Sequence, residues 1–90
     1  MDTTSVASAI ATWKTAARAA VAAKAAYVRK YAVALASSDA KNAEGRKADA
    51  DVGALDERIA LDYAEIEERA ARFLVQSFVT PSRDSYPEAA

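Results

Sequence analysis

The stretch ATWKTAARAAVAAKAAYVRKYAVALA, residues 11–36, holds twelve alanines in twenty-six positions. Alanine has no side-chain entropy to lose and is the best helix former, so such a run is a stiff helical rod. It also carries little apolar area per residue. A neighbouring helix can gain from it only by close approach, at the low end of the usual ~8–10 Å.

Apolar residues recur at helical spacing on either side of a polar break. In the first half they fall at Val6, Ile10, Trp13, Ala17, Val21, Val28, Tyr31 and Leu35, all on one face. The spacing predicts a first helix over about residues 4–37, roughly 50 Å long. The polar run SSDAKN interrupts the pattern, and Asn42 is the favoured cap for a second helix. A second pattern passes through Ala48, Val52, Leu55, Ile59, Tyr63, Ile66, Ala70 and Phe73. Gly45 and Gly53 lie inside it without a turn partner, so one continuous helix is expected over about 42–79. Pro81 cannot extend it. The domain is therefore residues 1–80, and PSRDSYPEAA, 81–90, reads as a flexible polar tail.

A loop this short makes the two helices antiparallel, giving an all-α helical hairpin. Charge agrees with the pairing. Lys14, Arg18, Lys24, Arg29 and Lys30 against Asp2 make the first helix +4, and ten acids against six bases make residues 38–79 −4. The expected hairpin core is Val28, Tyr31 and Leu35 from the first helix. Val52, Leu55, Ile59, Ile66 and Phe73 face them from the second. Lys24 then falls near the centre of the first helix's inner face, opposite Leu55 and between Asp51 and Asp56. There it would either snorkel to an acid or set an oligomer's register.

The second helix carries another stripe, Leu61, Ala64, Glu68, Ala71, Val75 and Phe78, in steps of three and four and roughly opposite the first. One partner helix can cover only one stripe, and an uncovered one of this size marks an interface. The expectation is a homo-oligomer, most simply two hairpins in a four-helix bundle homodimer, or a higher oligomer. Its interface is Leu61, Ala64, Ala71, Val75 and Phe78 together with Val6, Ile10 and Trp13. Phe73 joins the aromatic cluster expected at the end away from the loop.

Catalytic chemistry has little to draw on. The chain has no cysteine and no histidine, which removes thiolate ligands, imidazole ligands and the commonest general base. Glu65, Glu67, Glu68, Asp49 and Asp51 read as a solvated acidic face, and Ser37 and Ser38 lack a base. No enzyme and no cofactor is expected. Lys14, Arg18 and Arg29 form a basic stripe that could touch phosphates. A net charge of −1 gives no overall pull toward nucleic acid, so an accessory nucleic-acid role is the secondary reading. No apolar run reaches the ~20 residues of a membrane span, and MDTTSVAS carries an acid where a secretory leader has bases. A cytoplasmic protein is expected.

Residues 27–70 resemble the middle of small all-helical proteins encoded by bacteriophages. The resemblance rests on a Tyr/Ala/Leu helix end, a short polar loop, and an opening of the second helix formed by Lys41, Asn42, Ala43, Glu44, Arg46, Lys47, Ala48 and Ala50. It implies a phage origin in a GC-rich host, a host or phage protein as partner, and the host cytoplasm as location. It assigns no functional residue. If Leu61 and Val75 line an oligomer interface, Leu61→Asp with Val75→Asp should yield a monomer or an unfolded chain by light scattering.

Overall fold

The structure is a computed structural model. It describes residues 3–79, with side chains described from 6 to 78; the tail expected at 81–90 lies outside the described residues. Three helices and no strand make up the described residues: α1 (Thr3–Ala36), α2 (Ala43–Gly53) and α3 (Leu55–Val79). The first helix falls within a residue of its expected ends. The expected single helix over 42–79 is two helices instead, so the fold is not a two-helix hairpin.

The connection is built from side-chain caps. Ser37 and Ser38 donate their hydroxyls to the Val33 carbonyl at 2.8 Å and to the Asp49 carboxylate at 2.6 Å. The Ala40 N–H donates to Ser38 Oγ at 3.1 Å. Asn42, at φ −122° and ψ 167°, accepts from the Gly45 N–H at 2.6 Å and so caps α2. Glu44 in the first turn of α2, and Asp56 and Glu57 in that of α3, place negative charge where the helix dipole is positive.

The break falls at Ala54, whose φ −108° and ψ 17° leave helical geometry. Its N–H still reaches the Ala50 carbonyl and its carbonyl accepts from the Arg58 N–H, both at 2.9 Å, so the chain bends without unwinding. Close approach accounts for the position. Ala50 and Ala54 are fully buried, and a Cβ on Gly53 would stand 2.8 Å from the Ala34 Cβ. Glycine is therefore required here by the nearness of α1 rather than by a special backbone conformation. Covered residues of α2 and α3 (Ala50, Ala54, Glu57, Leu61, Ala64, Glu68, Ala71, Val75, Phe78) step by four and three across the break. Register thus survives the bend.

That covered line overturns the expected core. Leu61 is buried, and Ala64, Ala71, Val75 and Phe78 are half-buried within the single chain, as are Val6, Ile10 and Trp13. The set expected at an oligomer interface is thus the seam between α1 and α3 within one chain. Val28, Leu35, Val52, Leu55, Ile59, Ile66 and Phe73, expected as the core, are exposed; only Tyr31 of that set is half-buried. Phe73 accordingly lies on the opposite face of α3 from Phe78, on the side away from Val6, Ile10 and Trp13. The reason is spacing between helices. The covered positions of α1 are mostly alanine (Ala9, Ala16, Ala17, Ala20, Ala23, Ala26 and Ala34), with Tyr27 and Tyr31 among them and Val6, Ile10 and Trp13 toward the N-terminal end. Against those alanines the tightest fit comes from Ala50, Gly53, Ala54, Ala64 and Ala71, while Ile59, Ile66 and Phe73 in their place would hold the backbones apart.

The resulting body is thin and extended. Its Cα atoms span only 12 Å in the narrowest direction. Their radius of gyration is 19.8 Å, where a compact chain of this length would have about 12 Å. Among the described residues the buried apolar set is Ala9, Ala50, Ala54 and Leu61, and no large side chain is completely enclosed.

Gly53→Ala should cost a net ~1 kcal/mol in urea unfolding, because overpacking against Ala34 outweighs the gain in helix propensity. Ala34→Gly in the same chain should recover part of it. The Leu61→Asp, Val75→Asp chain should lose its helical circular dichroism rather than persist as a folded monomer.

Candidate functional site

α3 exposes on its back what its front does not use. Leu55, Ile59, Tyr63, Ile66 and Phe73 lie on the side away from α1, with Ile66 56% and Phe73 72% exposed. From Ile59 onward the line Ile59, Tyr63, Ile66, Ala70, Phe73 advances in alternating steps of four and three. At ~100° per residue it stands nearly opposite the covered line through Leu61 and Glu68. α3 is thus a helix with two apolar seams, one covered by α1 and one open. The existence of two opposed stripes is what helical spacing predicts; which is covered is reversed.

Polar side chains border the open seam. Arg58 holds its Nε 3.6 Å from Asp62 Oδ1, one turn on, with both side chains more than half exposed. Its guanidinium also lies over the Tyr27 ring, with Cζ 5.9 Å from the centroid. The Tyr27 side chain first, and the charge of Asp62 second, raise the Arg58 pKa above its ordinary value, so this cation keeps its charge throughout the accessible pH range. Tyr27 and Tyr31 follow one another with centroids 5.9 Å apart and planes tilted by 54°. Arg69 is exposed and enters no ion pair among the described residues.

α1 contributes a second, smaller apolar strip, Val21, Val28 and Leu35, one residue every two turns. Lys24 sits between its members and is exposed. The expected central place on the inner face belongs instead to Ala20, Ala23 and Tyr27. Asp51 and Asp56 take no part in an ion pair with Lys24 among the described residues. Lys14, Arg18 and Arg29 are exposed along α1, outside both described ion pairs.

A hydrogen bond crosses the covered seam. Trp13 Nε1 donates to Glu68 Oε2 at 2.8 Å, and Arg72 Nη2 stands 3.4 Å from the other oxygen of that carboxylate. Glu68 therefore sits inside an apolar seam without being stranded, and it fixes α1 against α3 at one height. Spacing alone marks Glu68 as an interruption. The missing signal was the indole N–H of Trp13, which needs an acceptor wherever it is covered.

On one side of the α1–α3 pair runs a shallow groove of about 470 Å³, lined by Ser8, Thr12, Thr15, Ala16, Ala64 and Glu67, among others. It offers hydroxyls and one carboxylate, with no base beside them. Among the described residues no three acids converge where they could hold a metal ion, and no helix is long and apolar enough to cross a membrane. No family model, no curated protein and no solved structure matches the chain.

Trp13→Phe should lower stability by about 1–2 kcal/mol in chemical unfolding, since it leaves a part-buried carboxylate oxygen without its donor. Glu68→Gln, which keeps an acceptor, should cost less. Trp13 is the chain's one tryptophan, so in the Glu68→Gln chain its fluorescence reports the same seam directly.

Proposed function

We propose that the chain is a non-enzymatic helical protein of bacteriophage origin that works by association, first with copies of itself and through that assembly with a host or phage protein. The single observation that carries the reading is the open apolar seam on α3. Leu55, Ile59, Tyr63, Ile66 and Phe73 are all exposed while no large side chain of the described residues is completely enclosed. A chain that leaves this many large apolar groups wet, and whose buried residues are mainly alanine, has little hydrophobic stabilisation to set against the entropy of ordering its backbone. Covering the seam with another helix supplies the missing burial. The net charge of −1 allows like copies to approach without strong mutual repulsion. Phage origin is supported by the resemblance over residues 27–70 to phage-encoded helical proteins.

Light scattering on the purified chain should return at least twice the 9.5 kDa of one copy. Ile59→Asp with Ile66→Asp, on the open seam, should reduce that to one copy while disturbing the covered seam little. A wild-type chain that is folded and monomeric at tens of micromolar would overturn the proposal.

A further inference from the structure

The open seam of α3 has the layout of a coiled coil. Ile59, Ile66 and Phe73 occupy one core position of the heptad, Tyr63 and Ala70 the other. By the same spacing Asp62 and Arg69 flank the seam on one side, Ala60 and Glu67 on the other. The α1 helix lies on the opposite side of α3 and leaves this surface open along its length, about 27 Å from Leu55 to Phe73.

We infer that α3 of a second copy covers this seam in the antiparallel sense, and that Asp62 and Arg69 select its register. This rests on the self-association proposed above and specifies its geometry.

In an antiparallel pair each core residue faces one of the other set, and each flanking row meets the same row of the partner. Setting Tyr63 opposite the partner's Ile66 puts Ile59 opposite the partner's Ala70, a large residue against a small one. Phe73 comes level with the partner's Leu55 and Asp56. In this register Asp62 faces the partner's Arg69, and the two-fold axis repeats the pair. A slide of one heptad in one direction brings Asp62 onto the partner's Asp62. A slide in the other direction brings Arg69 onto the partner's Arg69. A parallel pair sets Asp62 beside the partner's Glu67, again twice. Only the unshifted antiparallel arrangement joins opposite charges, and like charges placed together are the usual means by which paired helices reject wrong registers. Both groups are available for this. Arg69 enters no ion pair among the described residues, and Asp62 has only its long 3.6 Å approach to Arg58.

The chain has no cysteine of its own, so introduced thiols report the register cleanly. Under mild oxidation, Ile59→Cys chains mixed with Ala70→Cys chains should form the mixed disulfide in preference to either symmetric one. Arg69→Asp should weaken dimerisation about tenfold at low salt, because both symmetry-related pairs become repulsive. Adding Asp62→Arg to the same chain should bring the affinity back to within about threefold of wild type. Suppose light scattering finds a dimer but Ile59→Cys cross-links to itself, or the double exchange fails to recover. Then the antiparallel register is wrong and self-association stands. A folded monomeric wild-type chain overturns both.

Discussion

The contact that organises this molecule is between very small side chains. Ala34 meets Gly53 so closely that one added methyl group would stand 2.8 Å from it, and Ala50 and Ala54 beside it are entirely covered. Where backbones approach this nearly, dispersion between main chains replaces the interlocking of large side chains. The same closeness leaves no room for Ile59, Ile66 and Phe73 of α3, which take the outer side. The tight packing of α2 and α3 on α1 and the open apolar seam are therefore two results of one constraint. An alanine-lined α1 produces both.

Polar groups fit into this arrangement where they serve alignment. Glu68 interrupts the covered seam, yet it accepts the Trp13 indole N–H and stands near Arg72, so its burial carries no unpaired group. At the other end Ser38 binds Asp49 and Asn42 caps α2. The Trp13–Glu68 and Ser38–Asp49 bonds tie α1 and the residue just beyond it to α3 and α2 at two well-separated heights. Between them the bend at Ala54 lets a helix interrupted by Gly53 keep contact with α1 without shifting its pattern of covered positions.

Surface dominates such a body. A thickness of 12 Å means that every helix meets solvent on more than one side, and the described residues enclose no converging group of acids that could hold a metal ion. What stands out chemically is a line of apolar groups bordered on one flank by an acid and a base a heptad apart, Asp62 and Arg69. Recognition by helix pairing uses features of this kind: burial supplies the affinity and the flanking charges supply the choice of partner and direction.

Much of the fold was legible from residue order. Alanine content and 3.6-residue periodicity specify the helices. The polar run SSDAKN specifies the connection, and Asn42 its cap. The length of the loop specifies that α1 and the segment after it run antiparallel. Two opposed apolar stripes on α3 were also legible, because periodicity is a property of one helix alone. The choice between those stripes was not. Both obey the same spacing, and side-chain size favoured the larger set for the interior. Only the tertiary structure settles the matter, since what fits inside depends on the distance between helix axes. That distance is set by alanines and a glycine far apart in the chain, such as Ala34 and Gly53. The break at Ala54 belongs to the same category: local propensity permits a continuous helix there, and close contact with α1 bends it.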